Sequence, residues 1–187
     1  MARGKLFIIS GPSGVGKGTV IKELLERMPE LTLSVSFTTR QPREGEIEGV
    51  SYYFRDRDTF DELKEADEFL ESAVHYGVCY GTPRTFVNDK LDAGKSVLLE
   101  IDTAGAFQVK EKMSECVLIF LAYPSLEELR GRLIKRGSET EQSLKLRLEK
   151  AVNEDAEKDR YDYVVVNDVL DETIERVINI FEGELNV

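Results

Sequence analysis

Residues 11–19 read Gly-Pro-Ser-Gly-Val-Gly-Lys-Gly-Thr and follow directly on the apolar run Leu6-Phe7-Ile8-Ile9. This junction constrains the fold more than any other feature. A short buried strand must end at Ser10, a glycine-rich turn must curl, and a helix must begin near Gly16. Glycines at 11 and 16 let backbone N–H groups point inward at an anion, and the helix start adds its positive dipole end. Lys17 supplies a mobile cation at the outer edge. The pattern is that of a phosphate-binding loop, in the strand–turn–helix setting such a loop requires.

Composition narrows the setting. The chain has 187 residues, 41% hydrophobic and 33% charged, enough for a real core. Its formal net charge of −11 argues against a sequence-independent nucleic-acid binder, which needs a basic face. An acidic protein that handles anions must concentrate its cations locally, so the arginine clusters carry weight. Cys79 and Cys116 have no metal-ligand spacing and are expected to be reduced thiols of a cytoplasmic protein. Leu6–Ile9 is too short for a signal peptide core, and the longest apolar run, Val117 to Ala122, suits a strand, not a membrane span.

Strands are expected at Lys5–Ser10, Val97–Asp102, Val117–Tyr123 and Tyr163–Asn167, all read as buried parallel strands, with Leu33–Thr38 a fifth. Helices are expected near 17–28, 58–66, 83–94, 104–114, 125–136, 140–158 and 170–184. Leu126, Leu129, Leu133 and Ile134, and again Ile174, Val177, Ile178 and Phe181, follow the helical period. Alternation of this kind implies an α/β core with a parallel sheet flanked by helices. Residues 36–82 read as a small inserted lobe with short strands, including Ser51–Phe54. The charged helical stretch 137–158, with Leu144, Leu148 and Val152 as its apolar stripe, reads as a mobile cover.

The loop departs from the commonest phosphate-loop pattern. Position 18 is glycine, where many such proteins place the hydroxyl that ligates magnesium directly; the hydroxyl here comes at Thr19. The segment Gly-Lys-Gly-Thr resembles the loop of nucleoside monophosphate kinases, in which magnesium is held largely by nucleotide phosphates and water. Arg40 and Arg43, stiffened by Pro42, are spaced to converge on a second phosphate, and the planar guanidinium fork suits that task.

A longer set of residues resembles one family. Ser34-Val35-Ser36-Phe37-Thr38-Thr39-Arg40-Gln41-Pro42-Arg43, Gly45-Glu46, Gly49 and Tyr52-Tyr53-Phe54 resemble the GMP-binding segment of guanylate kinases. The resemblance continues through Phe69-Leu70-Glu71, Tyr80-Gly81-Thr82, Leu99-Glu100-Ile101-Asp102, Arg136-Gly137, Arg147-Leu148, Glu154 and Val166-Asn167-Asp168. It implies a P-loop NTPase core in one domain over 1–187. The core takes about 1–35, 83–125 and 160–187, a GMP-binding lobe about 36–82, and a helical lid about 126–159.

The same resemblance implies site roles. Gly11, Pro12, Ser13, Gly14, Val15, Gly16, Lys17, Gly18 and Thr19 would bind ATP, with Asn167 near the adenine. Arg40, Arg43, Tyr52 and Tyr80 would hold the GMP phosphate. Glu71 would accept from the guanine N1–H and 2-amino group, with Asp102 assisting and Ser36 and Thr82 near the base. From spacing alone Glu71 reads equally as an exposed acid beside Glu65, Asp67 and Glu68; the resemblance decides it. A carboxylate facing adjacent N–H donors would reject adenine by about 10⁴-fold, because a buried charge is left unpaired.

Glu100 and Asp102 fall in an apolar run and are expected to share one face at the strand's end, toward the ligand crevice. Glu100 is grouped with the GMP side, and two roles stay open for it: ordering magnesium's water shell or pairing with an arginine. Lys17, Arg40, Arg136 and Arg147 are the expected catalytic residues, the last two as lid arginines; Arg132 is a further candidate on the cover. Mg²⁺ is expected with ATP and without direct protein ligands, Thr19 or Glu100 acting at most through water. The expected partners are ATP and GMP, with dGMP an open question, and neither nucleic acid nor membrane. A monomer or small homo-oligomer is expected.

Some positions depart from the family pattern: Phe37, Thr103-Ala104, and the stretch Tyr76-Gly77-Val78-Cys79. Cys79 and the single histidine, His75, are read as packing. Two rivals stand beside the kinase. A catalytically silent binding module would be expected to have a degraded loop, and Gly11, Gly16 and Lys17 are intact. A kinase for another monophosphate is opposed by Glu71, Ser36 and Asp102.

Overall fold

The computed structural model describes residues 2–75, 77–135 and 140–186. In chain order the first elements are β1 (Leu6–Ser10), α1 (Lys17–Arg27), β2 (Thr32–Leu33), β3 (Phe37–Thr38), β4 (Tyr53–Phe54), α2 (Arg57–Glu65), β5 (Phe69–His75) and β6 (Val78–Pro83). They are followed by α3 (Arg84–Asp92), β7 (Val97–Glu100), α4 (Thr103–Lys112), β8 (Val117–Ala122), α5 (Leu126–Lys135), α6 (Glu141–Asp155), β9 (Tyr163–Val166) and α7 (Leu170–Leu185). Five strands form a parallel sheet in the order β2-β7-β1-β8-β9; four form a second sheet, β4-β3-β6-β5. This is the expected α/β class.

The chain divides into two compact units. One comprises Phe7–Pro29, Glu100–Thr103 and Val117–Val187. Here β1 pairs in parallel with β8, Phe7 opposite Val117 and Ser10 opposite Phe120, and β8 pairs with β9. Both β1 and β8 are buried along their whole length, which explains why each reads as an unbroken apolar run without alternation. Helices α1 and α7 bury single stripes: Val20, Ile21 and Leu24 in one, Thr173, Ile174, Val177 and Phe181 in the other. The Phe181 ring stacks on Phe7 at 3.9 Å between centroids. Helices α5 and α6 pack through Leu129, Leu133, Leu144 and Ala151.

The other unit comprises Met1–Leu6, Glu30–Leu99 and Ala104–Cys116. It pairs β2 with β7 and carries the second sheet, in which β5 and β6 form an antiparallel hairpin. A small core of Phe60, Phe69 and Cys79, with Phe37 and Leu63 against it, anchors α2 to that sheet. Helix α2 is set by its cap: the Asp56 carboxylate accepts from the Thr59 backbone N–H at 2.7 Å, one of the four donors a helix start leaves orphaned.

Four expectations need correction. The single strand at Leu33–Thr38 is two strands, β2 and β3, in different sheets, because one segment changes sheets within a few residues. The strand expected at Val97–Asp102 ends at Glu100; α4 starts at Thr103, so Asp102 lies beyond the strand. β9 is not the buried strand expected: Val164 and Val166 are exposed, and as the last strand of the sheet it alternates. Helix α6 stops at Asp155 and a short 3-10 turn, Lys158–Arg160, follows.

Candidate active site

The phosphate loop occupies the first-described unit, between β1 and α1. Gly11, Gly14 and Gly16 all have a positive φ, the conformation that favours glycine. Gly11 has φ 148°, and a Cβ there would sit 2.3 Å from the Leu121 carbonyl oxygen; Gly16 has φ 105°, and a Cβ would meet Asn167 Nδ2 at 2.6 Å. Gly16 is the N-cap of α1, and among the described residues no side chain caps that end or places an acid in its first turn. The helix start therefore offers its N–H groups and dipole to an outside anion.

Lys17 Nζ curls back over the loop and donates to the carbonyls of Gly11, at 2.6 Å, and Pro12, at 3.3 Å. Around the loop stand three braces. Asn167, buried, donates from Nδ2 to the Val15 carbonyl at 2.7 Å. Arg132 donates to the same carbonyl at 3.2 Å and to that of Asn167 at 2.9 Å. From α6, Arg147 donates to the Ser13 hydroxyl at 2.8 Å. Gly18 and Thr19 are exposed. Ser10, at the end of β1, donates to the Ile101 carbonyl at 2.8 Å and so fixes the turn that leads to Asp102.

The other unit gathers the second set of residues on and beside its mixed sheet, in which β3 and β4 run parallel. Glu71 on β5 is 3% exposed and accepts a 2.6 Å hydrogen bond from the Thr82 hydroxyl, its neighbour across the β5–β6 ladder. A carboxylate buried to this degree is costly unless strongly partnered. The bland reading, an exposed acid, is thereby excluded.

Arg40 forms a bidentate pair with Glu46, at 2.6 and 2.5 Å, and its guanidinium lies 4.9 Å from the centre of the Tyr52 ring. Tyr52 and Tyr80 meet edge to face at 6.0 Å. The Arg43 backbone N–H donates to the same Glu46 carboxylate at 2.8 Å. The Arg40 hydrogen bond, then the Arg43 N–H, hold the Glu46 carboxyl down to about 2; Glu46 in turn holds the Arg40 guanidinium above its ordinary range. The carboxylate thus fills the planar fork that would otherwise take two phosphate oxygens.

The expected residues are therefore grouped in two sets. Gly11 to Thr19, Asn167, Arg147 and Asp102 belong to one unit; Arg40, Arg43, Tyr52, Glu71, Tyr80 and Thr82 to the other. Ser36 contributes its carbonyl to the Tyr53 N–H at 2.9 Å. Glu100 is exposed at the end of β7 and Asp102 lies beyond the strand, so strand alternation does not set the one face expected for the two. Arg136 lies outside the described residues. Sequence reasoning gives no role to Glu46 or Glu154 and misses Lys150; Glu46 meets Arg40 only because a loop folds back on itself. Arg132, expected on the cover, grips the loop instead. Its spacing from Leu129 and Leu133 on α5 is the only signal that points inward.

The fold and the loop define a P-loop α/β nucleotide-binding protein. The family model described as guanylate kinase matches residues 3–184. The chain is 52% identical over 175 residues to a guanylate kinase from Synechococcus sp. (strain JA-3-3Ab), covering 94% of this chain and 81% of the relative. It is 50% identical over 184 residues to a guanylate kinase from Clostridium tetani (strain Massachusetts / E88), covering 98% and 88%. The crystal structure of guanylate kinase from Anaplasma phagocytophilum superimposes with a TM-score of 0.81 at 41% identity, over 98% of this chain and 87% of that one. The chain belongs to the guanylate kinase family, and ATP-dependent phosphorylation of GMP to GDP is the activity that this membership carries.

Proposed function

We propose how this chain carries out its family's reaction, transfer of a phosphoryl group from ATP to GMP to give ADP and GDP. The observation that carries the reading is the pairing of an uncapped phosphate loop with a separate, buried carboxylate at Glu71. The loop from Gly11 to Thr19 cradles the ATP phosphates through its N–H groups, and Asn167 keeps it in shape while lying near the adenine. Lys17 leaves its two carbonyl partners to bridge donor and acceptor phosphates. Arg147, and Arg136 by resemblance, neutralise charge that spreads over the transferred group. No protein nucleophile is needed: in-line attack by the GMP phosphate requires positioning and charge neutralisation.

On the acceptor side, Arg40 and Arg43, with Tyr52 and Tyr80, hold the GMP phosphate. Its dianion replaces the Glu46 carboxylate in the Arg40 fork. Glu71 accepts from guanine N1–H and the 2-amino group, assisted by Asp102, with Thr82 and Ser36 beside the base. Residues 36–82 serve as the GMP-binding lobe and 126–159 as the lid over a core formed by the rest.

Magnesium suits this donor set as a solvated companion of ATP. The exposed Thr19 hydroxyl and the exposed Glu100 carboxylate are hard oxygen donors that would act on it only through water. When bound it neutralises charge on the nucleotide phosphates. Among the described residues no helix is long and apolar enough to cross a membrane; with both cysteines as free thiols, we place the enzyme in the cytoplasm.

The experiment is a coupled ADP-release assay with ATP and magnesium, offering GMP, dGMP, AMP, CMP and UMP in turn. Turnover with the guanine nucleotides and not the others is expected. Turnover with AMP or a pyrimidine nucleotide instead would overturn the assignment of Glu71, Ser36 and Asp102 to the base. A fast ATPase without GMP would overturn the proposed exclusion of water from the transfer step.

A further inference from the structure

Helix α6 turns three charged residues toward the phosphate-loop side of its unit. Arg147, Lys150 and Glu154 follow one another at helical spacing and share a face. Arg147 is engaged with Ser13, as described above. Glu154 is only 7% exposed, rare for a glutamate unless it is paired. The Lys150 ammonium lies 3.5 Å from Glu154 Oε1 and 3.8 Å from Asp102 Oδ2, so one cation stands between two carboxylates from distant parts of the chain.

The electrostatics agree with that placement. Burial is the largest influence on the Glu154 carboxyl and pushes its pKa up; Lys150 and Lys17 oppose the rise, and the Asp102 charge adds to it. Asp102 and Glu154 therefore repel one another, and the Lys150 ammonium lies within ion-pair distance of both. Nothing in the proposed handling of ATP or GMP uses Lys150 directly. Its side chain is about half exposed, so its loss removes a charge without opening the core.

We propose that Lys150 is a positioning residue for the guanine site. It holds the Asp102 carboxylate against α6 in one orientation, so that GMP meets a prepared acceptor. The bridge also ties Asp102 to the helix whose Arg147 touches the phosphate loop. This inference rests on the reading that Asp102 assists guanine binding, and the test separates the two.

Lys150→Met, Lys150→Arg and Asp102→Asn are compared by steady-state kinetics and thermal unfolding. Lys150→Met is expected to raise KM for GMP about fivefold, the scale of one partly exposed ion pair, with KM for ATP and kcat nearly unchanged. Lys150→Arg restores the parent value. Added to Asp102→Asn, Lys150→Met brings no further loss, because both act through one carboxylate. The inference is overturned if Lys150→Met leaves KM for GMP unchanged while Asp102→Asn raises it; the guanine reading of Asp102 then survives alone. If Asp102→Asn itself leaves that KM unchanged, the reading of Asp102 fails and takes the latch with it. Equal shifts in both KM values, with a lower Tm, would reduce Lys150 to a support of α6 and also overturn the inference.

Discussion

The two sets of candidate residues are built in opposite ways. The phosphate loop is a backbone device: Gly11 and Gly16 in conformations that favour glycine, an uncapped helix start, and N–H groups aimed at an anion. The Glu71 and Arg40 half is a side-chain device, assembled by strand pairing, with one carboxylate buried beside Thr82 and another locked in an arginine fork. Backbone donors bind any phosphate, so the loop gives grip without discrimination. Buried side-chain charge discriminates, because a wrong base leaves it unpaired. On the proposed reading, power for transfer and choice of acceptor reside in different parts of the chain, and substitutions should separate them.

The sharpest separation is Lys17→Met. Rate should fall by about 10² to 10³ or more, as when a preorganised charge is removed from a transition state, while GMP binding and Tm stay close to the parent. Steady-state kinetics with equilibrium binding of GMP measures it; a large loss of GMP affinity would erase the division of labour. Next comes Glu71→Ala. Loss of a charged hydrogen-bonding group should raise KM for GMP about 10- to 100-fold, with far less effect on KM for ATP. Equal shifts for both nucleotides would remove Glu71 from the base.

Asn167→Ala tests the loop's support. It removes the 2.7 Å bond to the Val15 carbonyl but leaves Arg132 in contact, so about 1 kcal/mol and a Tm drop of about 2–4 °C are expected. Here KM for ATP should rise while KM for GMP does not. The smallest effect concerns Glu46. Its carboxyl is held at about 2 against an ordinary 4.5. A depressed carboxyl stabilises the fold above its unfolded value, and that stabilisation is lost as pH falls through the folded one. The stability difference between the parent and Glu46→Gln should be constant from pH 7 to about 5 and shrink between about 4.5 and 2. Denaturant titrations across that range decide; a difference that grows on acidification would contradict the pairing with Arg40.

The same contrast explains which parts of the molecule are legible in the sequence. Strand, loop and helix at 6–27 follow from apolar run, glycines and spacing, and they stand almost where those signals place them. Buried β8 announces itself by six apolar residues in succession. The second sheet is harder to read. β3 and β4 are two residues each, and β5 and β6 mix polar with apolar residues because neither is buried along its whole length. Asp102 falls outside the strand expected to hold it for a related reason: the apolar run continues to Ile101, but β7 stops at Glu100 and the chain turns.

Sequence by itself determined the fold class and the strand–loop–helix of residues 6–27, and through resemblance it named candidate base-site and arginine residues. Local chemistry suffices there, since glycine conformation, helix polarity and apolar periodicity act over a few neighbouring positions. Tertiary structure alone decided which charges meet. Glu71 against Thr82, Glu46 in the fork of Arg40, Arg132 on the Val15 carbonyl and Lys150 beside Asp102 join residues whose spacing follows no period. Such pairs depend on where strands register and helices cross, and there a buried charge must find its partner or forfeit its place.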